Sequence, residues 1–207
     1  MTKRSAPSRK AGRPRPLLFI MARLPIAGAV KTRLARRIGV IGAVSLYRSL
    51  LASTLRRAGR DTRWRTILAV TPATAAHSPL WRRLAPGCEV LAQSTGDLGR
   101  RMGSLLAKAG AAPAAVMGSD IVDVGAAHIA ASFSALKGAD AVIALAEDGG
   151  FWFCAVNGIA PRFAPGKAGA FADIAWSRGD TGGLTRTALQ AKGFRVASGP
   201  TRRDIDE

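Results

Sequence analysis

The sequence has few of the residues that usually bind transition metals or form disulfides. Its two cysteines, Cys88 and Cys154, lie far apart in apolar stretches, and its two histidines, His77 and His128, have no Cys or His at ligand spacing. A disulfide framework and a metal centre built on histidine or cysteine are therefore not expected. We predict instead that both cysteines are buried as small hydrophobic residues.

Long hydrophobic runs are also lacking. The longest candidate, residues 17–22, has the length of a strand, whereas a membrane-spanning helix needs roughly 20 apolar residues. This run is followed by Arg23 and Lys31, which is not the pattern of a secretory signal. We therefore expect no membrane span, no export and a cytoplasmic location.

Acidic residues are scarce: the sequence has 13 Asp and Glu but 31 Lys and Arg, which gives a formal net charge of +18. Residues 1–16 hold six of the cations and no acid, and their Pro, Ser and Gly content predicts a disordered basic arm. Residues 17–207 suffice for a single domain. The charge fits a nucleotide, nucleic acid, or arginines that serve solubility alone. Nucleic acid is not favoured, because the aromatic strand platform of single-strand binders is missing.

Strand-like and helix-like segments alternate along the chain. Predicted strands cover residues 16–22, 65–71, 89–92, 113–117, 140–146, 151–156 and 194–197; predicted helices cover residues 38–58, 98–109, 126–136 and 180–192. This alternation predicts βαβ units and an α/β domain whose mostly parallel sheet is covered on both faces. Ligands of such sheets bind beyond the carboxyl ends of the strands, so the loops there form the candidate site.

The loop after the first predicted strand combines a flexible glycine, Gly28, with the cations Arg23, Lys31 and Arg33. Backbone N–H groups of such a loop, together with Lys and Arg, can neutralise and contact a diphosphate. The loop is neither a Walker A loop nor a Gly-x-Gly-x-x-Gly fingerprint. On composition alone, an ordinary basic surface loop explains it equally well.

The loop after the fourth predicted strand contains Asp120 and Asp123. A carboxylate in this position can hold Mg²⁺, which takes few protein carboxylates and completes its shell with phosphate oxygens and water. The competing interpretation is a helix cap, a common role of Asp. Capping is favoured for Asp123, whereas Asp120 lies further from the next helix and is the better candidate for a metal ligand.

The turn between the fifth and sixth predicted strands reads Glu147, Asp148, Gly149 and Gly150. Its acids reach the same edge of the sheet as Asp120 and could supply a second metal ligand or contact a substrate hydroxyl. The glycines would let a ligand approach the backbone closely. Asp-Gly also favours a plain hairpin turn, and the two roles can coexist.

Two further segments could contact an anion or a sugar. Asp97 is placed to cap the helix of residues 98–109, and that helix N-terminus beside Arg100 and Arg101 would suit an anion. Trp176 fits a packing anchor better than a wall against a base or sugar. No Gly-x-Ser-x-Gly elbow and no Ser-His-Asp order is present, so nucleophilic hydrolysis has no support.

Taken in order, these loops resemble those of a bacterial family, the radical-SAM/selenodomain-associated transferases, some of which are named as arsenosugar-biosynthesis glycosyltransferases. The family pattern Phe-x-Lys-x-Pro-x-x-Gly-x-Val-Lys-Thr-Arg-Leu is similar to residues 21–34, and Gly-Asp-Leu-Gly-x-Arg-Met to residues 96–102. Gly-Ser-Asp-x-Pro is similar to residues 118–122, Asp-Gly-Gly-Tyr-Tyr to residues 148–152, and Trp-Ser-Thr to residues 176–178. The resemblance spans roughly residues 17–206.

The resemblance implies the Rossmann-like, three-layer fold of nucleotide-diphospho-sugar transferases, of the glycosyltransferase A type. It also implies Mg²⁺- or Mn²⁺-dependent transfer from a nucleotide sugar to a small-molecule acceptor. Transferred residue by residue, the phosphate contacts become Arg23, Gly28, Lys31, Arg33 and Arg101. The catalytic residues become Asp120, which is also the metal ligand, and Asp148. The loops themselves suggest Glu147, Gly149, Gly150 and Trp176 as sugar or acceptor contacts.

The sequence departs from the family pattern at several positions. Arg23 replaces the Lys of the family pattern, residues 26–27 replace Arg-Pro, Val122 replaces Pro, and residues 151–152 replace a Tyr pair. Altered specificity or weakened activity therefore stays open. Two other functions also stay open. One is a nucleotidyltransferase resembling 2-phospholactate guanylyltransferase, which would take a nucleoside triphosphate and release pyrophosphate. The other is a non-catalytic domain that binds nucleotides, other anions or nucleic acid.

Overall fold

The computed structural model describes residues 14–158, 169–176 and 179–203. Within them, seven strands occur: β1 Leu17–Arg23, β2 Arg65–Thr71, β3 Glu89–Ala92, β4 Pro113–Gly118, β5 Ala141–Leu145, β6 Phe151–Asn157 and β7 Val196–Ser198. The five α-helices of the same residues are α1 Thr32–Gly59, α2 Leu80–Leu84, α3 Leu98–Ala107, α4 Ala126–Ala135 and α5 Thr181–Ala191. The predicted basic arm falls mainly on residues 1–13, outside the described residues.

The strands form one sheet in the order β3-β2-β1-β4-β6-β5-β7. β6 runs antiparallel to β4 and β5, and every other neighbouring pair is parallel. The prediction of an α/β fold with a mostly parallel sheet is confirmed. β6 reverses direction because only residues 146–150 separate it from β5, and a parallel connection needs a crossover of about a dozen residues.

Side chains of the central strands alternate between two hydrophobic clusters, one on each face of the sheet. On one face, Leu18 and Ile20 pack with residues of α1 and α4; on the other, Phe19 packs with residues of α3 and α5. All three strand residues are fully buried. The apolar run of β1 therefore reflects burial on both faces, which produces the three layers of helix, sheet and helix.

α1 begins at Thr32, six residues before the predicted start, and it is interrupted at Gly39, whose φ of 76° and ψ of 161° are not helical. By length and composition alone, the helix is long and apolar enough to cross a membrane. The expectation that no segment meets this criterion was wrong, because the charges of α1 lie mostly at its ends. The criterion is weak evidence of a span, however, and Tyr47 and Leu51 of α1 are buried in the core.

Several local predictions are confirmed at residue level. The Asp97 side chain caps α3 by accepting a hydrogen bond from the backbone N–H of Arg100 at 2.8 Å. Cys154 is buried as predicted, whereas Cys88 is only partly buried, and both cysteines are free. Burial raises the pKa of the Cys154 thiol to about 12. α2 was missed, because its five residues are too few for a helical period to stand out.

Gly149 in the turn between β5 and β6 occupies a position that only glycine fits. Its φ is 87°, and a Cβ atom there would lie 1.8 Å from the backbone oxygen of Gly179. The backbone N–H of Gly182 also donates to the Gly149 oxygen at 2.9 Å. The turn is therefore held against the start of α5 through close backbone contact.

We predict that Gly149→Ala lowers the free energy of unfolding by about 2 kcal/mol or more, because backbone strain and a steric clash add. Gly87→Ala is the matched control: Gly87 has a φ of 75°, but no atom lies within 4 Å of its added Cβ. That control is expected to lose only about 1 kcal/mol, through strain alone. Urea unfolding followed by tryptophan fluorescence measures both, and equal losses would contradict the role of the Gly179 contact.

Candidate functional site

A cleft of about 1430 Å³ opens beyond the carboxyl ends of β1 and β4. One side is formed by the end of β1 and the loop that follows it, the other by α3 and the turn between β5 and β6. Asp120 and its neighbours lie at the end of β4. The lining includes Arg23, Lys31, Arg33, Gln93, Arg101, Ser119, Asp120, Asp123, Glu147, Asp148, Gly150 and Arg203. The cleft lies where the parallel topology predicts a ligand site.

Lys31 and Asp120 form an ion pair in this cleft. Their Nζ and Oδ2 atoms are 2.7 Å apart, with side-chain exposures of 7% and 29%. Lys31 has left-handed backbone angles (φ 46°, ψ 46°) and directly precedes α1. The structure thus brings the predicted phosphate contact and the predicted metal ligand into direct contact. A cation that binds Asp120 must compete with Lys31, and an anion that binds Lys31 must compete with Asp120.

Arg23 and Arg101 line the same cleft without a carboxylate partner among the described residues. Arg23 donates to the oxygen of Ala29 at 3.1 Å, and Arg101 donates to Gln93 Oε1 at 3.2 Å. Partial burial lowers the pKa of Arg101, and the positive charge of Arg23 lowers it further. Two guanidinium groups that repel each other and share no acid create a local excess of positive charge. Such a pair is suited to bind an anion with several oxygens, such as a phosphate.

Tyr47 connects the last residue of β1 to the loop after β4, a role that the sequence analysis missed. Its hydroxyl accepts a hydrogen bond from the backbone N–H of Arg23 at 3.0 Å and pairs with Ser119 Oγ at 3.0 Å. Burial raises the pKa of the Tyr47 phenol. A signal existed: Tyr47 is the only tyrosine of the chain and falls on the buried face of α1 with Val44 and Leu51. A buried hydroxyl requires polar partners, which are available at the strand ends.

Gln93 is a second residue that the sequence analysis missed. Its amide nitrogen donates to the oxygens of Ala22 at 3.3 Å and Ala69 at 2.7 Å, which directs its Oε1 to Arg101. The residue directly follows β3, so the rule that selected the other strand ends would also have selected it. Gln93 thereby orients the guanidinium group of Arg101.

The acidic turn combines both roles that the sequence allowed. Asp148 Oδ1 accepts a hydrogen bond from the backbone N–H of Gly150 at 2.8 Å, which stabilises the turn. Glu147, Asp148 and Gly150 also line the cleft. Gly149 does not line it, because its Cα faces the Gly179 backbone, so the structure assigns this glycine to packing instead of ligand contact.

Two other predicted contacts do not line the cleft. Gly28 lies in the loop after β1 with a φ of 79° and shapes that loop. Trp176 packs against α3, where a Cβ on Gly99 would lie 2.6 Å from its ring. The structure supports the packing interpretation of Trp176. Residues 177–178 of the predicted Trp-Ser-Thr-like segment lie outside the described residues.

Asp123 does not cap α4, contrary to the favoured interpretation. The N-cap residue is Gly125, whose backbone N–H donates to His128 Nδ1 at 3.2 Å. Asp123 has a φ of 58° and lies 3.6 Å from Arg57 in an exposed ion pair. The sequence suggested capping because Asp is common before helices. α4 does begin at the predicted residue, Ala126, but its N-cap lies two residues after Asp123.

The acids of the cleft do not form a complete metal site by themselves. Within residues 14–158, 169–176 and 179–203, no group of three or more His, Cys, Asp or Glu side chains is placed to hold a metal ion. A divalent ion at Asp120 would need additional oxygens from substrate phosphates and water. Mg²⁺ is commonly bound in this way, through one or two carboxylates and the phosphates of a nucleotide.

Comparison with solved structures identifies proteins of the same fold. A crystal structure from Desulfovibrio desulfuricans G20, described as a "putative nucleotide-diphospho-sugar transferase", has 26% sequence identity and a TM-score of 0.82, covering 93% of this chain and 82% of its own. A 4-diphosphocytidyl-2C-methyl-D-erythritol synthase from Anaerococcus prevotii DSM 20548 has 12% identity and a TM-score of 0.58, with coverages of 93% and 90%. The bifunctional IspDF of Campylobacter jejuni has 10% identity and a TM-score of 0.54, with coverages of 90% and 50%. At these lower identities the likeness shows the fold alone.

Comparison of sequences identifies the family. No curated protein sequence matches the chain significantly. One family model matches residues 54–178, more than half of the chain, and this stretch contains Arg101, Asp120 and Asp148. The loop with Lys31 lies before the matched residues. The chain belongs to the DUF2064 family, described as uncharacterized proteins conserved in bacteria.

Proposed function

We propose that the protein is a metal-dependent glycosyltransferase that uses a nucleotide-diphospho-sugar donor and a small-molecule acceptor. The observation that carries this proposal is the cleft itself, in which Arg23, Lys31 and Arg101 lie with Asp120 at the carboxyl ends of parallel strands. The Desulfovibrio protein, similar over almost the whole chain, supports a donor of this class. The loop motifs that resemble arsenosugar-type glycosyltransferases agree with it.

The cations of the cleft would bind the diphosphate of the donor. When the bond between the sugar and the diphosphate breaks, negative charge develops on the leaving nucleoside diphosphate. Arg23 and Arg101, which have no carboxylate partner among the described residues, are placed to stabilise that charge with their guanidinium donors. Arg33 lines the cleft mouth as an additional exposed cation. No nucleophilic side chain is required for this chemistry.

Asp120 is the side chain that would hold Mg²⁺ or Mn²⁺, which when bound adds positive charge beside the diphosphate. Lys31 would then exchange its contact with Asp120 for a contact with a phosphate oxygen. After the exchange both groups would still be paired. The Lys31 ammonium group would contact a phosphate oxygen, and the Asp120 carboxylate would contact the metal ion. Neither charge is left unpaired in a partly buried position, which would be costly.

Glu147 and Asp148 would face the sugar or the acceptor. Asp148 Oδ1 is engaged with the Gly150 N–H, so Asp148 Oδ2 and the Glu147 carboxylate remain for hydroxyl groups. A carboxylate within hydrogen-bond distance of the acceptor hydroxyl can accept its proton as that oxygen attacks the sugar. Gly150 lines the cleft beside them without a side chain that would obstruct the approach.

Isothermal titration calorimetry with nucleoside diphosphates and nucleotide sugars, with and without Mg²⁺, tests the proposal directly. We expect binding of at least one nucleoside diphosphate and of the corresponding nucleotide sugar; binding of none would contradict the proposal. Release of pyrophosphate from a nucleoside triphosphate would instead favour the nucleotidyltransferase. Steeply salt-dependent binding to DNA or RNA of any sequence that survives Asp120→Asn would favour the non-catalytic alternative.

Arg101→Gln is expected to weaken nucleoside diphosphate binding about tenfold to a hundredfold. A charge-assisted hydrogen bond contributes about 1.5–3 kcal/mol, and the glutamine amide cannot replace the charge. Arg100→Gln is the matched control, because Arg100 is the neighbouring residue of α3, is exposed and does not line the cleft. Calorimetry at one salt concentration compares the two variants. Equal weakening by both would show a long-range charge effect and contradict a direct phosphate contact of Arg101.

Asp120→Asn is expected to abolish the gain in nucleotide affinity that Mg²⁺ produces, because the amide is a poor ligand for a hard cation. Nucleotide affinity in EDTA should stay the same or rise, since the Asp120 carboxylate no longer competes with phosphate for Lys31. Asp123→Asn is the control, an acid of the same cleft that pairs with Arg57 instead. It should retain the effect of Mg²⁺. A Mg²⁺ effect that persists in Asp120→Asn would rule out Asp120 as the metal ligand.

A further inference from the structure

A small apolar patch is exposed at the start of α1, formed by Ile38, Val40 and Ile41. Their exposures are 48%, 45% and 73%, and Ile26 in the preceding loop is 50% exposed. Leu184 of α5 is the only other large hydrophobic residue of the described chain with comparable exposure. We call Ile38, Val40 and Ile41 the α1 patch. Clustered exposure of this kind marks an interaction site more often than scattered apolar residues do.

The backbone explains why the α1 patch is not part of the core. Val40 and Val44 are four residues apart on α1 and share a helix face, yet Val44 is 5% exposed and Val40 is 45% exposed. Val40 therefore lies outside the hydrophobic cluster, although Leu34 in the first turn of the helix is buried. The non-helical angles of Gly39 separate Ile38 from the rest of the helix. No described residue covers the patch enough to remove it from water.

Positive charge surrounds the α1 patch in the sequence. Arg33, Arg36 and Arg37 are exposed and directly precede it. Residues 1–60 contain fifteen Lys and Arg and no Asp or Glu, and the first acid of the chain is Asp61. Residues 1–60 therefore supply +15 of the formal net charge of +18. An apolar surface with arginines beside it and no acid is complementary to an apolar surface that carries negative charge.

We propose that the α1 patch and its arginines dock the protein on an anionic lipid surface. Isoleucine and valine side chains gain free energy by entering the boundary between headgroups and acyl chains, while arginines pair with lipid phosphates. The protein lies on the bilayer instead of crossing it, because Tyr47 and Leu51 of the same helix are committed to the core. The proposal is independent of the reaction that the cleft performs.

Two other occupants of the α1 patch fit the same observations less well. A second copy of the chain would bring two groups of arginines together without an acid from residues 1–60 to neutralise them. Nucleic acid would attract the arginines, but exposed aliphatic side chains gain little from a phosphate backbone, and base stacking requires aromatic residues. A lipid surface uses both the apolar and the basic residues.

Co-sedimentation of the full chain with vesicles tests the proposal. We expect binding to vesicles of phosphatidylcholine with phosphatidylglycerol, weaker binding at high salt, and little binding to phosphatidylcholine alone. Ile41→Ser should weaken binding about tenfold, because it removes a buried apolar contact in the bound state. Leu184→Ser removes an isomeric side chain that is 36% exposed on α5, and it should leave binding unchanged.

The arginines are tested by charge reversal at two places. Arg36→Glu with Arg37→Glu should weaken vesicle binding at least about tenfold. Arg82→Glu with Arg83→Glu on the exposed side of α2 changes the net charge equally and should weaken it much less. Thermal unfolding followed by circular dichroism verifies that every variant is folded.

Three outcomes would overturn the proposal. Equal weakening by the two pairs of charge reversals would show that only the total charge matters. Loss of duplex DNA binding in Ile41→Ser, with vesicle binding unchanged, would identify nucleic acid as the partner. A dimer in sedimentation equilibrium that Ile41→Ser converts to a monomer, again with vesicle binding unchanged, would identify a second copy of the chain.

Discussion

The parallel pairing of β1 with β4 is the constraint on which the rest of the site depends. These strands are distant in sequence, yet their register places Met21 beside Gly118, so the loops that follow them open at the same edge of the sheet. Tyr47 then joins the end of β1 to the loop after β4 through Arg23 and Ser119. The short distance between Lys31 and Asp120 follows from this pairing, since each lies in one of the two loops.

The electrostatics of the cleft follow from an excess of cations over acids. Lys31 is neutralised by Asp120, but Arg23 and Arg101 are satisfied by carbonyl and amide oxygens alone among the described residues. Such oxygens orient a guanidinium group without cancelling its charge. The cleft therefore combines pre-oriented donors with an excess of positive charge that Asp97 offsets only in part, an arrangement suited to stabilise a developing phosphate anion without further reorganisation.

Much of the fold could be predicted from local patterns. β2 and β3 have the predicted bounds, and Asp97 caps α3 as its position before an apolar helical period indicated. Errors arose where a neighbour in space decides the outcome. Gly149 faces Gly179, and Asp123 pairs with Arg57 instead of capping α4, whose N-cap is Gly125. None of these contacts has a period or spacing that a sequence pattern could reveal.

The sequence by itself determined the α/β class, the loops at the carboxyl ends of the strands and the excess of positive charge. Those properties depend on hydrophobic period, turn residues and composition, which are local. The tertiary structure decided that Lys31 pairs with Asp120, that Tyr47 and Gln93 belong to the cleft, and that Trp176 does not line it. The reason is physical: hydrogen bonds and ion pairs act over about 3 Å, and only the folded sheet brings residues so distant in the chain within that range.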